Sequence, residues 1–179
     1  PKDKSVDALV VNGVECEPYL TADYRLALEQ GKEVLEGAQI AAKITRAKRI
    51  IVGVEANKPD VVASLKEIVA NNNLPIEVVM LKMKYPQGDE KQLLKSLINR
   101  EIPSGKLPLD VGAVVCNMGT CKAMFDAIVL HKPLVERIIT ITGECIKEPK
   151  NILAPIGTKI SDLLAFCGGF STQPDKMIC

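Results

Sequence analysis

An amide, two carboxylates and a thiol follow directly on an apolar run near the start of this 179-residue chain. The apolar run covers residues 8–11, and the polar side chains are Asn12, Glu15, Cys16 and Glu17. An amide both donates and accepts hydrogen bonds, whereas carboxylates accept them from the hydroxyl and amide groups of a ligand. Because ligands of open α/β sheets bind outside the carboxyl ends of the strands, this segment predicts a binding site. The alternative is a strand-end turn whose acidic side chains are solvated.

A second polar stretch precedes a helical pattern at residues 90–99. It contains Tyr85, Gly88, Asp89 and Glu90. Acidic residues stabilise the positive end of a helix dipole, so a structural cap would by itself explain Asp89 and Glu90. Contact with a bound nucleotide is the functional alternative, and the two roles are compatible.

A third stretch, with Asn117 and Thr120, follows the apolar run at residues 111–116. The backbone amides after Asn117 begin the next helix, and a helix N-terminus offers N–H donors to a phosphate group. All three stretches follow strand ends, so we expect them to meet at a single crevice. The residues expected around it are Asn12, Glu15, Glu90 and Asn117.

Strand and helix patterns alternate through the first three quarters of the chain. Predicted strands cover residues 7–11, 49–54, 76–81 and 111–116, and predicted helices cover residues 22–44, 57–70, 90–99 and 119–130. The first of these helices is long and contains Gly31 and Gly37. Strands separated by helices imply right-handed crossovers, which place helices on both faces of a mainly parallel sheet. The sequence therefore predicts an α/β protein with a Rossmann-like sheet.

The pattern changes after residue 134. Two strand patterns at residues 137–142 and 151–156 are followed by a short helical pattern at 161–167 and by Gly168-Gly169. This order predicts a hairpin, a helix and a glycine stop. The predicted domains are a Rossmann-like domain at residues 1–135 and a smaller module at residues 136–179.

Composition excludes several classes of protein. Lys and Arg number 23 against 22 Asp and Glu, and Trp is absent, so a basic or stacking surface for nucleic acid is not expected. No apolar run approaches the roughly 18 residues that a membrane helix needs. The first residues also lack the layout of a signal peptide, so we expect a cytoplasmic protein.

The six cysteines are scattered along the chain, and we expect free thiols without an intrachain disulfide under reducing conditions. Cys116 and Cys121 form a CxxxxC pair, which is a weak metal motif because zinc and iron–sulfur sites usually use closer spacings. No metal site is predicted. The single histidine, His131, is interpreted as a surface or boundary residue.

Three segments carry a resemblance to a known family. Residues 12–19, Asn-Gly-Val-Glu-Cys-Glu-Pro-Tyr, resemble the NGxECEPY segment of RnfC, the peripheral subunit of the Rnf electron-transport complex. The core of that family is similar to the flavin-bearing, NADH-oxidising subunit of respiratory complex I. Residues 84–93 resemble the YPxGxEKQL segment of RnfC, and residues 114–120 resemble the VNNVET loop of the complex I subunit. The segment from residue 137 to residue 169 resembles the opening half of the β-grasp module called SLBB.

The resemblance implies binding of flavin mononucleotide (FMN) and NADH in the intact protein. It places Asn12, Glu15, Glu17, Asn117 and Thr120 beside FMN. It places the segment that contains Tyr85, Gly88, Asp89 and Glu90 beside the pyridine nucleotide, with Tyr85 and Glu90 as the residues expected to contact it. No side chain is expected to act as a nucleophile. Val14, Cys116 and Gly119 depart from the complex I pattern.

The resemblance also implies a reaction and partners for the intact protein. The reaction is hydride transfer between NADH and FMN, followed by single-electron transfer to iron–sulfur clusters. The implied partners are the other subunits of a membrane complex and ferredoxin-linked acceptors, with the protein at the inner face of the cell membrane.

The glycine-rich flavin loop and the CxxCxxC runs of the family have no counterpart in this sequence. We therefore expect a fragment that ends inside its β-grasp module, is inactive by itself and holds FMN weakly or not at all. Two alternatives remain open. One is a soluble RnfC-like protein of an amino-acid reductase system such as proline reductase, which the thiols of Cys116 and Cys121 favour. The other is a docking scaffold without catalysis, which the departures from the complex I pattern favour.

Overall fold

The computed structural model describes residues 4–179 and divides into two units. The first unit comprises residues 4–17 and Asp23–Pro133. The second comprises Pro18–Ala22 and Leu134–Cys179. The short segment Pro18–Ala22 therefore belongs to the C-terminal unit although it lies near the start of the chain, which the sequence analysis did not anticipate.

A four-stranded parallel sheet forms the centre of the first unit. Its strands are β1 (Ala8–Gly13), β2 (Arg49–Glu55), β3 (Ile76–Leu81) and β4 (Ala113–Asn117). They are arranged in the order β3-β2-β1-β4, and each neighbouring pair is parallel. The register sets Asn12 of β1 opposite Gly53 of β2 and Asn117 of β4. The predicted Rossmann-like parallel sheet is confirmed.

The helices of this part of the chain are α1 (Ala22–Glu29), α2 (Gly31–Thr45), α3 (Pro59–Asn71), α4 (Glu90–Ile98) and α5 (Met118–Val129). A 3-10 turn, Pro108–Val111, precedes β4. The chain moves from β1 outward to β3 and then returns to β4, so right-handed crossovers place helices on both faces of the sheet. Within residues 4–179 no helix is both long enough and apolar enough to cross a membrane.

The single long helix predicted over residues 22–44 is wrong. Two helices are present, and the break falls at Gln30, whose φ of −136° lies outside the helical range. Gly31 begins α2 and is buried against α3, where an added Cβ would lie 3.0 Å from Leu65 Cδ2 and 3.1 Å from Ile68 Cδ1. Glycine also disfavours a helix interior. Packing between helices distant in sequence therefore overrides the apolar periodicity.

The burial of the strands in the core explains why their sequence patterns were easy to recognise. The central strands β1 and β2 are buried almost without interruption, as parallel strands covered on both faces usually are. Aliphatic side chains of the helices complete the core, among them Val34, Leu35, Leu65, Leu93 and Leu94, each with no measurable exposure. The sheet is thus a rigid support for the loops at its ends.

The second unit contains a hairpin and a short helix. β5 (Glu136–Ile141) pairs antiparallel with β6 (Lys150–Pro155), and α6 (Ile160–Phe166) follows. The helix ends at Gly168 and Gly169, both with a φ of +75°, a backbone conformation that glycine adopts at little cost. The predicted hairpin, helix and glycine stop are confirmed. Thr21 joins the hairpin because its backbone N–H donates to Thr140 Oγ1 at 3.2 Å and its carbonyl accepts from Asn151 Nδ2 at 3.2 Å.

Candidate functional site at the carboxyl edge of the sheet

The carboxyl ends of all four parallel strands meet at one edge of the sheet. We call this the carboxyl edge, and it consists of the loops at residues 12–17, 55–58, 82–89 and 117–119. The strand order reverses between β1 and β4, and ligands of open α/β sheets bind at such a switch point. Asn12 and Asn117 are paired across this point.

Asn12 joins the loops that follow β1 and β3. Its Nδ2 donates to the Gly88 carbonyl at 2.9 Å, and its Oδ1 accepts from the Val14 backbone N–H at 3.0 Å. A side-chain amide has two donor hydrogens and two acceptor lone pairs. Asn12 therefore keeps hydrogen-bonding capacity beyond these two bonds.

Gly88 brings the loop after β3 close to the loop after β1. A Cβ at this position would lie 2.6 Å from the Val14 carbonyl oxygen and 3.2 Å from Cys16 Sγ. The adjacent Gln87 is buried, and its Nε2 donates to Ser96 Oγ at 2.8 Å. The loop is consequently held in place on both sides.

Asp89 and Glu90 stand at the start of α4 and are both exposed. Asp89 is the N-cap, because its carboxylate accepts from the backbone N–H groups of Lys91 at 3.0 Å and Gln92 at 3.3 Å. Glu90 is the first residue of the helix. The cap role that the sequence offered for both residues therefore belongs to Asp89.

Glu15 belongs to a buried group of charges. Lys58 Nζ lies 3.3 Å from Glu15 Oε2 and 3.8 Å from Glu55 Oε2, and the side chains of Lys58, Glu15 and Glu55 are only 12%, 6% and 3% exposed. Glu15 also accepts from the backbone N–H groups of Asp23 and Tyr24 at 3.0 and 3.3 Å, so it caps the start of α1. Both of its oxygens are therefore engaged within the protein.

Glu55 and Lys58 were missed by the sequence analysis, which interpreted residues 57–60 only as a helix start. The signal was available, since Glu55 is the last residue of β2 and so occupies the same place in its strand as Asn117 does in β4. A carboxylate at the end of a buried β-branched run is a polar group at a strand end like the others.

Glu17 and Tyr85 form an exposed pair at the same edge. The Tyr85 hydroxyl donates to Glu17 Oε1 at 3.2 Å. The negative charge of Glu17, together with this hydrogen bond, raises the pKa of Tyr85 above its ordinary value. Because both side chains are exposed, they are accessible to a ligand.

Asn117 is the N-cap of α5. Its Oδ1 accepts from the Gly119 backbone N–H at 2.7 Å, and its Nδ2 donates to Asp23 Oδ2 at 2.6 Å. Thr120 lies in the first turn of the helix and is half-buried. The loops of the carboxyl edge contain seven of the proposed residues: Asn12, Glu15, Glu17, Tyr85, Gly88, Asp89 and Asn117. Glu90 and Thr120 lie in the first turns of the helices that follow, α4 and α5. Glu15, Asp89 and Asn117 are also helix caps.

Two departures from the complex I pattern have structural roles of their own. Val14 is 7% exposed and belongs to a core cluster with Leu81, Leu93 and Leu94. Gly119 supplies the backbone N–H that Asn117 caps. The position of Val14 is therefore used for packing and not for a polar contact.

Comparison with known proteins identifies the family. Residues 1–126 match the Nuo51 FMN-binding domain, and residues 138–177 match the SLBB domain. The chain belongs to the Nuo51 FMN-binding domain family. The SLBB match corresponds to the hairpin and helix of the second unit.

Curated relatives carry the name expected from the sequence resemblance. The C subunit of the proton-translocating ferredoxin:NAD(+) oxidoreductase complex of Clostridium ljungdahlii is 52% identical over 99% of this chain and 38% of the relative. The C subunit of the Na(+)-translocating complex of Acetobacterium woodii is 43% identical over 99% of this chain and 40% of the relative. The predicted similarity to the RnfC family is confirmed, and the chain spans well under half the length of these relatives.

Solved structures support the fold. Two structures of an NAD+-reducing [NiFe]-hydrogenase, in the air-oxidised and H2-reduced states, align with TM-scores of 0.73 and 0.75. They are 19% and 20% identical in sequence and cover 89% and 92% of this chain, or 32% and 33% of the hydrogenase chain. At this level of identity the likeness establishes the shared fold.

Proposed function

We propose that this chain is the FMN- and NADH-binding part of a subunit that transfers electrons in an Rnf-type ferredoxin:NAD oxidoreductase complex. The observation that carries the proposal is the pairing of Asn12 with Asn117 at the switch point of a sheet that belongs to an FMN-binding family. The names of the Clostridium and Acetobacterium relatives supply the type of complex.

The polar groups of the carboxyl edge fit a flavin. The flavin ring presents an N–H donor beside carbonyl acceptors, and the ribityl chain presents hydroxyls. Asn12 and Asn117 can serve both kinds of group, because each amide retains a donor and an acceptor after its bonds to the protein. Bound FMN would supply hydride acceptance and single-electron release, while the protein orients it.

The nucleotide side of the site is assigned to the loop after β3. Tyr85 and Glu17 form an exposed hydrogen-bonded pair that can accept from the ribose hydroxyls or the amide of a nicotinamide nucleotide. Gly88 keeps this loop against the loop after β1, because no side chain fits between them. Lys58 positions the loop after β1 by holding Glu15 against the start of α1.

The rest of the electron path is proposed to lie in the complete polypeptide and its complex. In that proposal iron–sulfur clusters outside this chain receive the electrons, ferredoxin-linked acceptors follow, and other subunits attach the protein to the membrane. The names of the relatives support this because they describe multi-subunit ion-translocating oxidoreductases.

The test uses the complete polypeptide that carries this sequence. Its visible spectrum is expected to show bound flavin, and added NADH under anaerobic conditions is expected to bleach it. Replacing Tyr85 with Phe and Glu17 with Gln should weaken the response to NADH while the flavin remains bound. A colourless protein that assembles normally with its complex would instead support the docking scaffold.

A further inference from the structure

Glu55 is a buried carboxylate whose surroundings differ from those of Glu15. It is the last residue of β2 and is only 2% exposed. Across residues 4–179 its carboxylate accepts no hydrogen bond and is held by an ion pair, in which Lys58 Nζ lies 3.8 Å from Glu55 Oε2. Glu15, by contrast, accepts from two backbone N–H groups and from Lys58 Nζ at 3.3 Å. The need for a helix cap therefore explains Glu15 but leaves Glu55 unexplained.

Stability of the fold does not explain a charge at position 55. Taking a carboxylate out of water is costly, and a long ion pair without hydrogen bonds offsets little of that cost. Buried ion pairs can often be replaced by uncharged residues of similar volume without loss of stability. A glutamine would occupy nearly the same space as Glu55 without the charge. The charge itself is therefore the property that requires an explanation.

The buried group of charges at the carboxyl edge is not balanced. Two carboxylates, those of Glu15 and Glu55, share the single ammonium group of Lys58, so one formal negative charge is left over. Salt screens buried charges much less than exposed ones, and charges interact more strongly where water is excluded. The surplus negative charge therefore acts on whatever binds close to it.

This surplus charge lies next to Asn12, one of the two amides assigned to the flavin. In the register of β1 and β2, Asn12 is opposite Gly53, and Glu55 is two residues further along β2. With about 3.3 Å per residue and about 4.8 Å between strands, the backbones of Glu55 and Asn12 are roughly 8 Å apart. Glu15 follows Asn12 by three residues in the loop after β1. A ligand bound by Asn12 is therefore within the range of the unbalanced charge.

We propose that Glu55 and Lys58 set the reduction potential of the flavin through the net charge of this group. The inference rests on the proposed function, because it requires FMN at the carboxyl edge. Neither residue is assigned a contact with FMN, and both act through their charge and through the position of Glu15.

The direction of the effect follows from the charge that reduction adds. Transfer of a hydride from NADH gives FMN two electrons and one proton and leaves NAD+, so the reduced flavin carries one additional negative charge. A surplus negative charge nearby opposes this change and lowers the potential. Loss of the carboxylate of Glu55 should therefore favour reduction, and loss of the ammonium of Lys58 should oppose it.

The test is a redox titration of the complete polypeptide that carries this sequence, unmodified and in three variants. Glu55→Gln leaves the group neutral and should shift the flavin midpoint potential to more positive values. Lys58→Met leaves two negative charges and should shift it to more negative values. The double variant again carries one negative charge and should return close to the unmodified potential. A purely structural role of the pair does not predict shifts of opposite sign.

The matched control is Glu77→Gln, which makes the same change in an exposed carboxylate. Glu77 pairs with Arg49 near the start of β3, and its side chain is 51% exposed. This variant should keep the unmodified potential. The shift in Glu55→Gln should persist at high salt, because a buried charge is screened little. An equal shift in Glu77→Gln, or a shift in Glu55→Gln that salt abolishes, would overturn the proposal.

The FMN content, measured before each titration, separates this inference from the function on which it rests. If the unmodified polypeptide contains no FMN, the proposed function is wrong and the inference is wrong with it. If FMN is bound but Glu55→Gln leaves its potential unchanged or makes it more negative, the inference alone is wrong. The result for Glu55→Gln decides between these outcomes even if Lys58→Met fails to fold.

Discussion

The two edges of the four-stranded sheet hold their charges in opposite ways. At the edge where the strands begin, which we call the amino edge, Asp7 accepts from Lys48 and Arg100 at 3.0 Å, and Arg49 pairs with Glu77 at 2.9 Å. These side chains are between 37% and 73% exposed. At the carboxyl edge Lys58 and its two glutamates are almost completely buried.

The difference in burial shows which edge of the sheet holds charged side chains in fixed positions. Exposed ion pairs contribute little because water screens them, so the amino edge resembles an ordinary protein surface. Burying charges is costly unless every group is paired, and removing one partner of a buried pair is strongly destabilising. At the carboxyl edge the buried group of Lys58, Glu15 and Glu55 is therefore held in one arrangement, whereas none of the amino-edge charges named above is buried in this way.

The largest effect is expected from removing the buried cation. Lys58→Met leaves Glu15 and Glu55 without their partner, and we expect a loss of about 3–5 kcal/mol in the free energy of unfolding. The matched change at the amino edge is Lys48→Met, which should cost at most about 1 kcal/mol because its pair with Asp7 is exposed. Urea unfolding of both variants checks this, and equal losses would remove the contrast between the edges.

A methyl group at Gly88 should give the next largest effect. Gly88→Ala places a Cβ 2.6 Å from the Val14 carbonyl oxygen, so the two loops must separate. Overpacking of this kind costs about 1–3 kcal/mol. The control is Lys84→Ala in the same exposed loop, for which we expect a change within about 0.5 kcal/mol. If Gly88→Ala left the free energy of unfolding unchanged, the two loops would not be held together as described.

Loss of the α5 cap should have a smaller effect. Asn117→Ala removes the acceptor for the Gly119 N–H, which should cost about 0.5–2 kcal/mol. Asn117→Ser retains a capping oxygen and should recover most of the stability. If flavin binds to Asn117 as proposed, the serine variant of the complete polypeptide should still hold less FMN than the unmodified protein. If Asn117→Ser recovered both the stability and the FMN content, Asn117 would be a helix cap and not a flavin contact.

The smallest effect is expected for the pH dependence of the stability that the amino edge contributes. Hydrogen bonds from Lys48 and then Arg100 lower the pKa of Asp7 below its ordinary value. Its contribution to stability is therefore present above the pKa of the unfolded chain and is lost as the pH falls through the lower pKa of the folded chain. The stability difference between the unmodified chain and Asp7→Asn should therefore shrink in urea titrations as the pH is lowered below the ordinary pKa of an aspartate. A difference that is independent of pH in this range would contradict the ion pairs.

Local sequence patterns were sufficient to predict the sheet but not the contacts between its loops. The β-branched run of β2 predicts a buried strand, and Gly168-Gly169 predicts a helix end, because both signals are local. The break at Gln30 depends on α3, and the ion pair of Glu15 joins residues 43 positions apart. The assignment of Pro18–Ala22 to the second unit rests on Thr140 and Asn151, which are far away in sequence. Contacts between residues so far apart in the sequence produce no local periodic pattern from which they could be predicted.

The most direct test of the carboxyl edge is the amount of FMN bound to the complete polypeptide that carries this sequence. Asn12→Ala removes one of the two paired amides at the switch point, whereas Asp7→Asn alters the opposite edge of the same sheet. FMN released by denaturation and quantified by fluorescence should fall sharply in Asn12→Ala and remain unchanged in Asp7→Asn, with both variants folded by circular dichroism. Equal FMN content in the two folded variants would contradict the assignment of the flavin to the carboxyl edge.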